Sequence, residues 1–202
     1  KKQVINGKRK IQLKHSVERY CDAFAKAGFP VAPANVPCLK LSPDGLSEVS
    51  DLQLSMEDLN IGVAPYAKHQ LKIWPEEYMI KLLQLISEKR RVKIWLFGGY
   101  DEIERLKKFG SVVPHSYLVA GKLRLAGEIA LMSRLNLMIT MDSANMHMAA
   151  LAGTPVVSIW GGTDPLTGFG AWQQPGDFAL RIPVEELTCR PCTIFGKGEC
   201  RR

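Results

Sequence analysis

Apolar residues recur along this chain in blocks of two distinct periods, separated by glycine and proline. Residues 16–27 place Val17, Tyr20 and Phe24 on one face and predict an amphipathic helix. Ser16 can cap it, and Gly28 with Pro30 can end it. Residues 29–58 hold several Pro and Gly residues and little periodicity, so they read as a linker with one strand near Leu39–Leu41. From Asn60 onward, short continuous apolar runs alternate with helical patterns. The runs 61–65, 92–99, 117–121, 135–141 and 154–162 predict five strands. Between them, Pro75 opens a helix with Glu76 and Glu77 in its first turn and Met79, Leu82, Leu83 and Ile86 on one face. Helices are also predicted over 101–109, 125–135 and 144–152. A β-α-β succession of strands without polar alternation implies an α/β fold, a Rossmann-like parallel sheet covered by helices on both faces.

Ligands of such sheets bind beyond the carboxyl ends of the strands, so the residues following each strand are the candidates. After the first strand come Lys68 and Lys72, either exposed lysines or point charges for a diphosphate. His69 and Trp74 in the same loop read as loop and packing residues. After the second strand come Gly98 and Gly99, which permit close backbone approach. Glu102 then stands where a carboxylate either accepts from ribose hydroxyls or supplies an N-terminal helix charge. After the last come Gly162 and Thr163, a second glycine-rich turn at the same edge.

The most informative stretch is Met141-Asp142-Ser143-Ala144-Asn145-Met146-His147. Asp, Ser and His so close together invite a hydrolase reading. A nucleophile elbow, however, needs G-x-S-x-G, and adjacent Asp and Ser have no triad geometry. The alternative is a strand delivering Asp142, Ser143 as N-cap, and the free amides of Ala144, Asn145 and Met146 forming an anion site at a helix start. His147 then either packs in the interior or donates to a phosphate.

Composition adds bounds. The chain has 202 residues, 46% of them hydrophobic, but no apolar run near the ~20 residues of a membrane span. The basic start lacks the apolar segment of a secretory signal. A net charge of +7 suits anionic partners or simply solvated helix faces. No basic motif interleaved with aromatics points to nucleic acid. Five cysteines, an odd count, suggest a reducing compartment rather than a disulfide framework. Cys189, Cys192 and Cys200 have the spacing of part of a zinc site, one ligand short, or are free thiols.

These motifs together resemble glycosyltransferase family 9, which includes the ADP-heptose:lipopolysaccharide heptosyltransferases. The pattern D-[ST]-x-x-x-H-x-A-x-x-x-G-x-P is met by Asp142, Ser143, His147, Ala149, Gly153 and Pro155. Lys72, Trp74 and Pro75 meet K-x-W-P, though Lys68–Leu71 read as extra residues in that loop, so Lys68 shares or replaces the role of Lys72. Gly98 and Glu102 meet G-x-x-x-E, and Gly161, Thr163, Asp164 and Pro165 meet G-x-T-D-P. The likeness covers 57 to about 196, the carboxyl-terminal half of such an enzyme.

The resemblance implies a two-domain GT-B fold, with the donor on the second domain. Residues 1–30 would end the amino-terminal acceptor domain, 31–58 would link, 59–185 would bind nucleotide sugar, and 186–202 would form a cysteine-containing tail outside the pattern. Lys72 would contact the donor phosphate and Glu102 the ribose. Asp142 would hold sugar hydroxyls, the amides from Ser143 to His147 the diphosphate, and Leu123 would flank adenine. Gly98, Gly99, Gly162 and Thr163 complete the binding set.

The implied activity is inverting transfer of a sugar, heptose by family expectation, from an ADP-sugar donor to a phosphorylated lipopolysaccharide core or lipid A acceptor. It needs no cofactor for catalysis; a structural zinc is the one metal the cysteines raise. The location implied is cytoplasmic, with peripheral contact at the inner face of the inner membrane and no nucleic acid partner. The family's basic Asp lies in the amino-terminal domain and has no counterpart here, so this chain alone is expected to bind donor without transferring sugar. The alternatives are a non-catalytic nucleotide-sugar-binding module, or an epimerase or hydrolase on the same scaffold.

Overall fold

The computed structural model describes residues 11–52, 54 and 57–200. The basic start of the chain, with the part of the expected 1–30 segment before Ile11, lies outside the described residues. Six parallel strands form one sheet: β1 (Leu59–Ala64), β2 (Val92–Leu96), β3 (Ser116–Leu118), β4 (Leu137–Met141), β5 (Val156–Ile159) and β6 (Ala179–Leu180). Their spatial order is β3-β2-β1-β4-β5-β6. The order reverses between β1 and β4, which pair in parallel with Ala64 opposite Thr140. That reversal opens a crevice at the carboxyl edge, where open α/β sheets bind ligands.

Apolar residues fill both sides of the sheet because successive strand residues point to opposite faces. Ile61, Val63, Ile94 and Leu96 face helices α3 (Glu76–Lys89) and α4 (Ile103–Val112), whose Met79, Leu83, Leu106 and Phe109 complete that core. Trp95, Phe97 and Met138 face α5 (Leu125–Met132) and α6 (Ala144–Ala152), with Leu131, Met146 and Ala149 among their partners. Each large side chain buried this fully, such as Leu83 or Phe97, contributes about 1.5–3 kcal/mol. α6 ends at Gly153, whose φ of 92° is the left-handed turn that lets the chain return to β5.

Several local expectations are corrected. No strand forms near Leu39–Leu41. Instead, Ser42 accepts from the Gly45 amide at 3.0 Å and Pro43 starts a short helix, α2 (Pro43–Glu48). Ser-Pro followed by Asp is a helix start as readily as a turn, and the packing of Gly45 against the Ala126 backbone of α5 decides it. The first helix, α1 (Ser16–Lys26), is capped by His15, whose Nδ1 accepts from Val17 N at 3.2 Å. Ser16 donates instead to the Gly168 carbonyl. α5 ends earlier than expected, and β6, only two residues long, has too little pattern to be read in advance. Before α4 the chain makes a 3-10 turn, Tyr100–Glu102. Among the described residues, no helix is long and apolar enough to cross a membrane.

Candidate functional site

The crevice at the β1/β4 reversal is a cleft of about 900 Å³. Its floor comes from the loop after β1. Tyr66 is buried and donates to Glu76 at 2.6 Å; burial, then that bond, push its phenol well above its ordinary pKa and keep it protonated. Arg105 lies over the Tyr66 ring, 4.0 Å from its centroid, and also pairs with Glu76. Lys68 is exposed at the cleft, and the turn Gln70–Lys72 directs Lys72 inward. Lys72 Nζ is 2.8 Å from Asp142 Oδ2.

Asp142 leaves the end of β4 and is only 6% exposed. The same Oδ2 accepts from the Thr163 hydroxyl at 2.8 Å. Thr163 is therefore a buried support for Asp142 rather than part of the cleft wall. Gly162 has a similar role: its amide donates to the Leu71 carbonyl at 2.6 Å. A Cβ on the preceding Gly161 would run into that carbonyl, so glycine is what allows the turn after β5 to lie against the Lys72 loop.

Ser143 stands at the N-cap position of α6, but its hydroxyl meets Thr140 Oγ1 at 3.2 Å and makes no capping bond. The expected side-chain cap is thus absent. The start of α6 lies at the cleft, whose wall includes Ser143, Ala144, Asn145 and His147. Aligned N–H groups and the helix dipole favour an anion at that point. Met146, expected in the binding set, is not part of the cleft wall; it is fully buried in the core. Burial lowers the pKa of His147, Asp142 raises it, and His15 and Lys72 lower it again, so its imidazole gives up a proton more readily than an ordinary histidine.

On the β2 side, Glu102 Oε2 accepts from Gly99 N at 2.7 Å, which fixes the carboxylate at the cleft edge. Gly99 lines the cleft with Asp101. Gly98 sits behind them, with Glu102 and Leu106 in the space a side chain would fill. Leu123 does not reach the cleft; it packs against the core beneath α5. The opposite end of the cleft was not foreseen from the sequence. It is walled by Phe169, Ile194 and Phe195. Arg105, three residues after Glu102, had a readable signal in its helical spacing; the aromatic wall had none.

The lining carries Lys68, Lys72 and Arg105 against Asp101, Glu102 and Asp142. The cleft is therefore near neutral in side-chain charge, and the chain's +7 lies mostly elsewhere. Such a site suits a ligand that combines an anionic group with neutral hydroxyl-bearing parts, the phosphate meeting helix amides and lysine, the hydroxyls meeting carboxylates. Burial, and then the neighbouring Cys189, push the Cys192 thiol up. Among the described residues, no group of three or more His, Cys, Asp or Glu side chains is arranged to hold a metal ion.

A profile of glycosyltransferase family 9 (heptosyltransferase) matches residues 3–188. Lipopolysaccharide heptosyltransferase 1 of Escherichia coli K12 is 28% identical over 120 residues, 57% of this chain and 35% of that protein. The crystal structure of a family 9 glycosyltransferase from Veillonella parvula superposes with a TM-score of 0.71 at 23% identity, covering 84% of this chain and 49% of that one. The E. coli heptosyltransferase WaaC with ADP gives 0.62 at 22% identity, covering 88% and 53%. The chain thus spans about half the length of these structures and about a third of the curated relative, and its sheet is the fold of half a GT-B enzyme. The match extends over nine-tenths of the sequence and takes in Lys72, Glu102, Asp142 and Thr163, so the chain belongs to glycosyltransferase family 9, the heptosyltransferases.

Proposed function

We propose that this chain is the donor-binding half of an inverting glycosyltransferase that moves a sugar, heptose, from an ADP-sugar to a phosphorylated lipopolysaccharide core or lipid A acceptor at the cytoplasmic face of the inner membrane. The observation that carries this reading is the Lys72–Asp142 pair, 2.8 Å apart, standing beside the uncapped start of α6. A cation for a leaving phosphate and a carboxylate for sugar hydroxyls are side by side, next to amides that hold a diphosphate.

In the reaction, an acceptor hydroxyl attacks the anomeric carbon while the bond from that carbon to the phosphate oxygen breaks. Negative charge grows on the leaving diphosphate. Lys72 and the first α6 amides meet that charge where it develops, which lowers the barrier. Asp142, fixed by Thr163, orients the sugar. The acceptor proton goes to a base supplied by the acceptor half of the enzyme. This chain by itself then binds donor and does not transfer sugar.

Calorimetric titration with ADP, UDP, GDP and ADP-heptose tests the reading. ADP and ADP-heptose are expected to bind more tightly than UDP or GDP. Equal affinity for the three diphosphates would overturn it.

A further inference from the structure

The tail after residue 188 lies beyond the family match, yet it closes one end of the cleft. It is firmly anchored. Arg190 is 3% exposed and donates to the carbonyls of Thr163 at 2.8 Å and Ile182 at 3.0 Å. The Cys192 amide donates to the Gly162 carbonyl at 2.9 Å. These bonds hold the tail to the same turn whose Thr163 hydroxyl fixes Asp142. Gly196 then passes against the aliphatic stem of Lys72 and the Cβ of His69. Phe195 packs on Phe169, ring centroids 6.1 Å apart, and remains 56% exposed toward the cleft mouth.

The strand order says which part of a ligand this wall meets. Along the carboxyl edge, the β2 turn with Gly99 and Glu102 lies at one end, the β1 and β4 ends with Lys72 and α6 lie in the middle, and the β5 turn with the tail lies at the other. A nucleoside at the β2 end and a diphosphate at α6 leave the sugar between Asp142 and the tail. A sugar ring has hydroxyl edges and an apolar C–H face. Asp142 suits the edge and an exposed aromatic ring suits the face, the combination of apolar lining and few fixed polar groups typical of small-molecule sites.

We propose that Ile194 and Phe195 form the surface on which the donor's sugar ring rests, making the tail a specificity-determining part of this chain's site. The inference rests on the donor-binding reading above.

The test is calorimetry of this chain with ADP and with ADP-heptose, for wild type, Phe195→Ala and Phe195→Tyr. Because Phe195 is exposed, the alanine variant keeps the fold. Phe195→Ala is expected to weaken ADP-heptose binding by about tenfold and to leave ADP binding unchanged, while Phe195→Tyr keeps both affinities. Equal loss for ADP and ADP-heptose, or no loss for either, would overturn the inference while leaving the donor-binding reading intact. A wild-type chain that binds neither ligand would overturn both.

Discussion

Lys72 Nζ and Asp142 Oδ2 stand 2.8 Å apart, and the Thr163 hydroxyl donates to the same carboxylate oxygen. The Lys72 side chain is 17% exposed and that of Asp142 7%, so neither charge is well hydrated. Removing one partner leaves the other desolvated. For a fully buried pair that costs about 3–5 kcal/mol; partial exposure here reduces it to roughly 1–3 kcal/mol. Lys72→Met is expected to lose that much stability in urea unfolding, and Lys72→Met with Asp142→Ala to recover most of it. An additive double variant would show that the two charges do not support each other.

The same pair separates two binding roles. Asp142→Ala removes the proposed partner of the sugar hydroxyls but not the amides of α6. ADP-heptose binding is expected to fall about tenfold, the scale of a lost hydrogen bond to a charged group, with ADP binding nearly kept. Calorimetry with both ligands decides it. Equal loss of ADP would mean that Asp142 only maintains the shape of the cleft.

His147 gives the site a protonic signature. Burial lowers its pKa below the ordinary 6.5 and outweighs the pull of Asp142, with His15 and Lys72 acting in the same direction as burial. In the free protein His147 therefore holds its proton less tightly than an ordinary imidazole. A diphosphate at the start of α6 would favour the imidazolium and raise that pKa. Binding of ADP at pH 6.5 is then expected to take up part of a proton. Titrations in two buffers of different ionisation enthalpy measure this, and His147→Asn should abolish it. Buffer-independent heats in wild type would place His147 away from the phosphates.

The α/β alternation from β1 to β5 was legible because those strands are short, mostly apolar runs without polar alternation and the helices between them repeat at the helical period. α6 at Ala144–Ala152 matched to the residue. The contacts that shape the site were less legible, because they join residues far apart in sequence. Thr163 and Asp142 are 21 positions apart, and nothing in the local pattern near either one announces the bond. Ser143 illustrates the converse: its local pattern predicts a cap, but Thr140 takes its hydroxyl and leaves the helix start open. Phe195 escaped notice for the first reason. An aromatic in a glycine- and cysteine-rich tail has no periodicity to assign it a face.

At Glu128 two effects oppose and their magnitudes decide. It lies in the first turn of α5, where the helix dipole favours a carboxylate by about 0.3–1 kcal/mol. Burial opposes the charge and wins, pushing the pKa from 4.5 up to about 7. The folded chain therefore keeps a proton that the unfolded chain gives up. Below pH 4.5 both states are protonated and Glu128 costs nothing. As pH rises from 4.5 through 7 the unfolded state alone ionises, so stability declines, and above 7 the loss is complete. Glu128→Gln removes the ionisation while keeping the shape. It is expected to raise stability at pH 8 by on the order of 2 kcal/mol and to change it little at pH 4.5. Urea unfolding of wild type and variant at the two pH values checks this; a gain of the same size at both would mean that the carboxyl's proton plays no part.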